Sequence, residues 1–290
     1  EIAQCLVGSE MCIRDSSIFT DSQGGVWVGT FFGGLNYYHP LKNRFKNIQS
    51  IANRNSLNND IINCIVEDKQ HNLWIGTNSG GVNYYNSKTN TFTHYTRKDG
   101  LGSNDVKTIY VDEAQKKVYI GTHAGGINIL HPATGRIENI MPSHPSDIAL
   151  KSIYAIVPIG NGEYWIGTLG GVLRFNPLQK TFTPVTTEKN GRPFKSTQIT
   201  TVFKDSKKRL WFGSEIGLIA YTQDENELQN ISVLPSSSPL NHQFINCIYE
   251  GHDGLFWIGT RSGMYRYNET TKELKQYCLL YTSDAADDLT

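Results

Sequence analysis

The sequence predicts an all-β protein, a β-propeller with six visible blades of four strands each. A short motif, Trp-Ile-Gly-Thr or a close variant, recurs six times in 290 residues. Successive copies are 47, 45, 46, 46 and 46 residues apart, and they begin at Trp27, Trp74, Tyr119, Trp165, Trp211 and Trp257. A fixed period of this length is typical of repeat folds in which each copy is one supersecondary unit.

Each repeat carries four strand signals separated by turn residues. The first strand has a small residue ten positions before the motif, or eleven before Tyr119, and these residues are Ser17, Cys64, Thr108, Ala155, Thr201 and Cys247. A polar turn, often opened by Asp, leads to the motif strand; a glycine-rich turn then leads to a third strand, and a further turn to a fourth, such as Thr91–Tyr95. Four short strands joined by hairpins make one propeller blade.

The recurring aromatic residue is interpreted as structural, because one large residue at the same place in every copy suits packing between blades. The predicted structural set is therefore Trp27, Trp74, Tyr119, Trp165, Trp211 and Trp257. Cys64 and Cys247 occupy the small position of the first strand and are interpreted as packing residues, not as a disulfide or redox pair. No His, Cys or Asp cluster has metal-ligand spacing, so we predict no metal and no cofactor.

The charge balance excludes several classes of partner. Lys+Arg and Asp+Glu are both 27, so the formal net charge is zero. Without a basic block the chain has no electrostatic footprint for nucleic acid or an anionic membrane. It also lacks an apolar run of about 18 residues that could span a bilayer. We therefore predict no nucleic acid partner and no membrane contact by this segment.

The two ends of the chain differ from the repeat. Residues 1–16 and 278–290 resemble translated sequencing-adapter sequence, and we predict that they are non-native ends flanking a propeller at 17–277. Residues 1–16 also lack the basic start and the apolar stretch of a signal peptide. The native protein is accordingly expected to continue in both directions.

The repeat resembles that of the two-component regulator propeller family. Residues 68–85 read Asp-x-x-x-x-Leu-Trp-Ile-Gly-Thr-x-x-Gly-Gly-Val-x-x-Tyr, and a Ser/Asn-rich stretch at 56–61 precedes the first strand. The resemblance covers residues 17–277. It departs from the pattern at Tyr119, which replaces Trp, and at Gly217 and Gly263, where one glycine stands in place of two.

The resemblance implies the periplasmic sensor part of a Bacteroidetes-type hybrid two-component system with a histidine kinase. It implies that this chain is a fragment of a seven-bladed or tandem propeller array, with further blades and signalling domains in the same full-length chain. The implied function is to bind an oligosaccharide and regulate polysaccharide utilisation, and no enzyme activity is expected of this fragment. A homodimer is also compatible with the resemblance.

Loops at one rim of the propeller are the predicted binding site, because they differ between copies while the strands around them repeat. These loops follow the motif strand or precede each first strand. Their side chains offer aromatic faces, amides and charged donors that suit a sugar, and Arg261 or Lys151 suits a carboxylate or sulfate. The candidate ligand-binding residues are Phe31, Phe32, Asn59, Asp60, Asn78, Asn104, His123, Lys151, Glu215, His242 and Arg261.

Two other functions stay open at this point. The first is a protein-interaction scaffold, a common use of propellers. The second is a propeller glycoside hydrolase or lyase, which would need two carboxylates across one cleft. The rim acids Asp60, Asp105 and Glu215 belong to different repeats and no acidic pair forms a motif of its own. We therefore predict no catalytic residues.

Overall fold

The computed structural model describes residues 15–22, 24–30, 34–38, 46–142, 148–185, 198–224, 227–231 and 234–277. Within this part of the chain, 24 strands form six antiparallel sheets of four strands each, and every sheet consists of four strands consecutive in sequence. The prediction of an all-β propeller with six four-stranded blades is confirmed. The first strand begins at Asp15, two residues before the predicted boundary, and the last ends at Tyr277.

The strands are numbered in chain order, four to a blade. Blades 1 to 3 contain β1 (Asp15–Thr20), β2 (Val26–Thr30), β3 (Leu35–Tyr38), β4 (Lys46–Ile48), β5 (Ile62–Glu67), β6 (Leu73–Thr77), β7 (Gly81–Asn86), β8 (Thr91–Tyr95), β9 (Val106–Asp112), β10 (Lys117–Thr122), β11 (Ile127–His131) and β12 (Arg136–Ile140). Blades 4 to 6 contain β13 (Ile153–Gly160), β14 (Glu163–Thr168), β15 (Gly171–Asn176), β16 (Thr181–Pro184), β17 (Ile199–Lys204), β18 (Leu210–Ser214), β19 (Gly217–Asp224), β20 (Glu227–Ile231), β21 (Ile245–Glu250), β22 (Phe256–Thr260), β23 (Gly263–Asn268) and β24 (Glu273–Tyr277). A short helix α1 (Ile148–Lys151) and two 3-10 turns (Arg97–Asp99 and Pro239–Asn241) lie in the described connections.

The first strand of each blade is the innermost one. From β1 to β17 each of these strands packs against the first strand of the next blade. A β-bulge interrupts its pairing with the motif strand near its start; in blade 2, for example, Ile62 pairs with Thr77 and Cys64 with Gly76, so that Asn63 is left unpaired. Bulges bend a strand and re-aim one side chain.

Five apolar clusters join successive blades, and each contains the motif aromatic of the earlier blade packed on strands of the later blade. Trp211 of blade 5, for instance, packs with Ile245, Ile248 and Phe256 of blade 6, with ring centroids of Trp211 and Phe256 4.8 Å apart. Burying a side chain of this size contributes about 2–3 kcal/mol. The motif aromatic is thus the connection between neighbouring blades.

The glycine of the motif leaves room for the inner strands to approach. A Cβ on Gly213 would lie 2.6 Å from Thr201 of the same blade and 2.7 Å from Ile245 of the next. In blades 2 to 5 an equivalent branched residue lies equally close to a Cβ placed on the motif glycine of the preceding blade. These residues are Ile62, Val106, Ile153 and Ile199. The close approach of neighbouring inner strands therefore explains both the small residue of the first strand and the glycine of the motif.

The aspartate that opens the turn after the inner strand anchors the motif tryptophan. The indole Nε1 donates to Asp21 from Trp27 (2.8 Å) and to Asp205 from Trp211 (2.9 Å). The second carboxylate oxygen of Asp205 accepts from the amide of Arg209 (2.7 Å), which closes the turn. This explains why Asp precedes Trp at a fixed spacing of six residues.

Candidate functional site

One rim of the propeller is held in register by a repeated backbone hydrogen bond. The residue that follows the motif donates its N–H to the carbonyl just before the inner strand of its own blade: Asn78 to Ile61 (2.9 Å), His123 to Asp105 (2.8 Å), Leu169 to Ser152 (3.3 Å), Glu215 to Gln198 (3.2 Å) and Arg261 to Phe244 (3.3 Å). The backbone at these positions is thus equivalent while the side chains differ. Such a rim can present a different chemical group on each blade.

The loop that enters each following blade lies beside the same rim. The turn glycine of one blade donates its N–H to this loop in the next: Gly34 to Asp60 (3.0 Å), Gly81 to Asn104 (2.8 Å) and Gly126 to Lys151 (2.9 Å). The two sets of predicted loops therefore meet at the blade boundaries. This arrangement places candidate residues from two blades next to one another.

A polar group at this rim, here called the rim cluster, consists of Asn63, Asn78, Asp105, Lys107 and Tyr154 from blades 2 to 4. Asp105 is at its centre. Its carboxylate pairs with Lys107 Nζ (2.8 Å) and accepts from Asn63 Nδ2 (3.3 Å). The Asn78 amide faces the same carboxylate at 2.7 Å, and its nitrogen is placed on that side because only this orientation permits donation.

The bulges of the inner strands supply three members of the rim cluster. Asn63, Lys107 and Tyr154 are each the residue left out of the pairing with the motif strand. Asn63 reaches across to blade 3, where its Nδ2 also donates to the carbonyl of Val106 (2.7 Å). The bulges thus turn these side chains toward the neighbouring blade.

Charge within the rim cluster is locally balanced. Lys107 and Asp105 are both partly buried, with 18% and 23% of their side chains exposed, and Lys107 Nζ lies 5.8 Å from the centre of the Tyr154 ring. Burial, with the nearby Asp105 carboxylate, raises the pKa of Tyr154. Tyr154 therefore keeps its proton at neutral pH and offers a hydroxyl donor beside an aromatic face.

His123 extends the polar surface into blade 4. Its Nδ1 lies 3.2 Å from Ser152 Oγ, which also accepts from the amide of Ala124 (3.0 Å). Ser152 is fully buried and fixes the ring, whereas His123 itself is partly exposed. Its remaining ring nitrogen is a further group that can donate or accept a hydrogen bond.

Several predicted site residues hold the loops together. Asn59 Oδ1 accepts from the amide of Ile61 (2.9 Å), Asp60 Oδ1 from Ser50 (2.6 Å) and Asn104 Oδ1 from Arg97 (2.7 Å). Their side-chain oxygens are therefore engaged in loop structure. Lys151 ends α1 and is partly exposed.

Glu215, His242 and Arg261 lie on blades 5 and 6, away from the rim cluster. All three are exposed. The guanidinium of Arg261 stacks 3.7 Å from the centre of the Phe244 ring, and Glu215 Oε1 accepts from the amide of Gln198 (3.4 Å). Phe31 and Phe32 lie outside the described residues.

Sequence reasoning missed Asn63, Lys107 and Tyr154. They precede the small residue of the inner strand, and this position differs between copies just as the loops do. That variation was the available signal. It was overlooked because strand residues of a propeller are usually part of the scaffold, and only the bulge turns this one toward the rim.

A second polar group lies in a groove of about 450 Å³ that is lined by Ser22, Glu67, Lys69, His71 and Glu113 among others. Ser22 Oγ is 2.8 Å from His71 Nδ1, and Glu67 Oε1 is 3.0 Å from the same nitrogen. A Ser-His-acid triad needs the two partners on different ring nitrogens. This group therefore does not have the geometry of an activated nucleophile.

The described ranges contain neither a group of side chains that could bind a metal ion nor a helix that could span a membrane. No group of three or more His, Cys, Asp or Glu side chains there could hold a metal ion. Burial raises the pKa of the Cys64 thiol to about 12, so this cysteine stays protonated. The part of the chain that the structure covers also contains no helix of the length and apolarity that crossing a bilayer requires.

Comparison with known families matches three segments of the chain to the two component regulator propeller: residues 8–32, 56–79 and 239–262. The first two fall in repeats one and two and the third in repeat six, and each contains a complete motif copy. The prediction of this repeat type from residues 68–85 is thereby confirmed. No curated protein matches the chain by sequence.

Solved structures share the fold. The chain is similar to the extracellular domains of two hybrid two component systems from B. thetaiotaomicron. The first has a TM-score of 0.70 and 23% sequence identity, and the match covers 88% of this chain and 33% of that domain. The second has a TM-score of 0.68 and 24% sequence identity, and the match covers 91% of this chain and 36% of that domain. The chain is also similar to virginiamycin B lyase from Staphylococcus aureus, with TM-score 0.69, 12% identity and coverage of 93% and 86%. The chain thus spans about a third of the length of the two sensor domains. At these identities the likenesses establish the fold.

Proposed function

Since the chain carries repeats of the two component regulator propeller family, we propose that it is a ligand-sensing propeller of a hybrid two-component system. It acts outside the cytoplasm, in the periplasm, and its ligand is an oligosaccharide whose arrival regulates polysaccharide utilisation. Further blades and signalling domains belong to the same full-length chain. The proposal is supported by the repeat match and by the two sensor domains of the same fold.

The composition of the rim cluster is the observation that supports an oligosaccharide as the ligand. Asn63, Asn78 and Asp105 offer both donors and acceptors, and Tyr154 adds a ring and a hydroxyl. Sugar hydroxyls donate and accept at once, and a few convergent polar groups with an aromatic surface fix the orientation of such a ligand. The partners of Asp105 hold it in place without burying it completely.

Binding without turnover is favoured over catalysis. The carboxylate oxygens of Asp105 are bonded to Lys107 and to the amides of Asn63 and Asn78, whereas a glycoside hydrolase or lyase needs two carboxylates facing the sugar across one cleft. Glu215 lies on blade 5, two blades away from Asp105. The rim cluster therefore suits recognition of a ligand.

Calorimetric titration of the chain with oligosaccharides from a plant and host polysaccharide library tests the proposal. We expect saturable binding with no new reducing ends or unsaturated sugars. Asp105→Asn and Lys107→Met should each weaken binding by about tenfold or more, since each removes a charge-assisted hydrogen bond. Glu273→Gln, at an exposed position of the outer strand β24, is the control and should bind like the parent.

Three results would contradict the proposal. Release of sugar products would show an enzyme. Binding that is unaffected by both rim variants would place the ligand elsewhere, and failure to bind any glycan alongside stable capture of a protein would favour the scaffold function.

A further inference from the structure

The two carboxylate oxygens of Asp105, at the centre of the rim cluster, are unequally engaged. Oδ1 lies 2.8 Å from Lys107 Nζ and accepts from Asn63 Nδ2 at 3.3 Å and from the Asn78 amide at 2.7 Å. Among the described residues, Oδ2 has only the same Asn78 amide, 3.2 Å away. A carboxylate has about four acceptor positions, two on each oxygen. Oδ1 is therefore fully used by the protein, whereas Oδ2 can accept a further hydrogen bond.

Lys107 offers hydrogen-bond donors beside this acceptor. An ammonium group carries three N–H donors. The contact with Asp105 Oδ1 uses one of them, and the side chain remains 18% exposed. Nζ also lies 5.8 Å from the centre of the Tyr154 ring. A free acceptor on Asp105 and a donor on Lys107 thus lie side by side next to an aromatic surface.

Two hydroxyls on adjacent carbons of a sugar ring match this pair of groups. A hydroxyl both donates and accepts, so one of the two can donate to Asp105 Oδ2 while its neighbour accepts from Lys107 Nζ. Hydrogen bonds to charged groups of this kind are stronger than those between neutral groups. The apolar C–H face of the same sugar ring can lie against Tyr154, since aromatic side chains bind such surfaces.

The charge of the pair disfavours an acidic sugar at the same place. A carboxylate or sulfate would bring negative oxygens next to Asp105 Oδ2, and like charges in close contact oppose binding. Lys107 is already paired with Asp105, so its charge is balanced before any ligand arrives. Arg261, whose guanidinium suits an anion, lies on blade 6 and outside the rim cluster.

We propose that the rim cluster recognises the vicinal hydroxyls of an uncharged sugar unit and discriminates against uronic acid and sulfated units. Asp105 Oδ2 accepts from one hydroxyl and Lys107 Nζ donates to the other. Asn63 and Asn78 are positioning residues, because they hold Asp105 Oδ1 and so orient Oδ2. This inference rests on the proposed sensor function and names the class of sugar that the rim cluster takes.

Two chemical changes to one set of probes test the two parts of the inference separately. The probes are β-1,4-linked tetramers of glucose, mannose and galactose, together with any neutral library member that binds more tightly. Oxidation of C6 to a carboxylate adds charge and keeps the hydroxyls at C2 and C3, whereas periodate cleavage of the C2–C3 bond followed by borohydride reduction removes that diol and adds no charge. In calorimetric titrations we expect each change to weaken binding by about tenfold or more.

Substitution of Asp105 should invert the preference between neutral and oxidised probes. Asp105→Asn keeps the shape of the side chain but leaves the Lys107 charge without its partner. Neutral probes should then bind about tenfold more weakly and oxidised probes about tenfold more tightly than to the parent. Lys107→Met should weaken binding of the neutral probes without any gain for the oxidised ones.

Asp253→Asn is the matched control. It removes the same charge at an exposed position of the turn between β21 and β22, at the other end of its blade. This variant should keep the preference of the parent for neutral probes. Circular dichroism and the thermal midpoint show whether each variant is folded like the parent.

Three outcomes would overturn the inference and leave the sensor function standing. Equal or tighter binding of the oxidised probes by the parent would remove the selection against charge, as would a library in which only acidic glycans bind. Undiminished binding after periodate treatment would remove the diol. A folded Asp105→Asn variant with the preference of the parent would place the discrimination elsewhere. Absence of binding to every glycan, by contrast, would contradict the proposed function itself.

Discussion

At the scale of single residues, the motif tryptophans form two groups, one with and one without an aspartate six residues earlier. Trp211 is buried and its Nε1 donates to Asp205 (2.9 Å), whereas the Nε1 of the equally buried Trp165 has no hydrogen-bond partner among the described residues. Blade 4 has Ile159 six residues before the tryptophan, where blade 5 has Asp205. The two tryptophans therefore contribute similar packing but different hydrogen bonding.

This contrast gives a matched prediction for Trp→Phe substitution. Trp211→Phe removes the donor and leaves Asp205 buried with one partner fewer, whereas Trp165→Phe removes only apolar contacts. We expect Trp211→Phe to lower the free energy of unfolding by about 1–2 kcal/mol more than Trp165→Phe. Urea denaturation followed by circular dichroism measures both, and equal losses would show that the indole hydrogen bond contributes nothing.

At the scale of structural elements, the turns of neighbouring blades are joined by charged groups. Arg209, in the turn after β17, pairs with Asp205 of its own turn (2.6 Å) and reaches Glu269 in the turn after β23 of blade 6 (Nη2 to Oε2, 2.8 Å). Lys207 Nζ also contacts Glu269 (2.8 Å). The hydrogen bonds from Arg209 and Lys207 hold the pKa of Glu269 at about 2.

The low pKa of Glu269 predicts how stability depends on pH. An unfolded glutamate titrates near pH 4.3, so the folded state binds this proton less readily than the unfolded state. The contribution of Glu269 is therefore complete above about pH 5 and is lost as the pH falls toward 2, with a total on the order of 2 kcal/mol. Glu269→Gln should lose that part of the acid dependence.

Thermal unfolding from pH 7 to pH 3 in parent and variant measures this effect. The control is Glu273→Gln, an exposed glutamate of β24, which should follow the parent curve. If Glu269→Gln and the parent lost stability in parallel, the interblade ion pair would not be the cause.

A second link between turns is made through backbone amides. The turn after the inner strand donates an N–H to a glutamate of the next blade: Ser22 to Glu67 (3.2 Å), Lys69 to Glu113 (2.7 Å) and Ser206 to Glu250 (2.7 Å). These carboxylates are at or next to the end of the following inner strand. At this position of the repeat an acidic residue therefore links the turns of two neighbouring blades.

At the scale of the whole molecule, stability comes from contacts between successive blades. Each apolar cluster involves two neighbouring blades, as in an array with nearest-neighbour coupling. Among the described residues, blades 2 to 5 each share such clusters with two neighbours, whereas blades 1 and 6 each share one with a single neighbour. Local opening should therefore be easiest at the two ends.

Hydrogen exchange followed by mass spectrometry tests this gradient. We expect the amides of β9–β16 in blades 3 and 4 to exchange most slowly and those of β1–β4 and β21–β24 to exchange at least about tenfold faster, since the end blades lack one interface. Uniform protection over all six blades would contradict this gradient.

The sequence alone determined the architecture, because a blade is a local unit. The 46-residue spacing, the glycine after the aromatic residue and the small residue on the first strand all act within one blade or between neighbours in sequence. The structural role of each of these features could therefore be inferred from its recurrence in every repeat. The family could be predicted for the same reason, since the motif at residues 68–85 carries it.

The tertiary structure decided which side chains meet at the rim. Asp105 contacts Asn63 and Asn78, and Lys107 lies over Tyr154, only because blades 2 to 4 stack side by side and because a bulge turns one residue of each inner strand out of the ladder. Neither the stacking distance nor the bulge is encoded in a local pattern of residues. Likewise, the sequence shows six equivalent blades, and only the burial of Ile65 and Ile248 against the exposure of Ile18 and Tyr249 shows that the end blades differ.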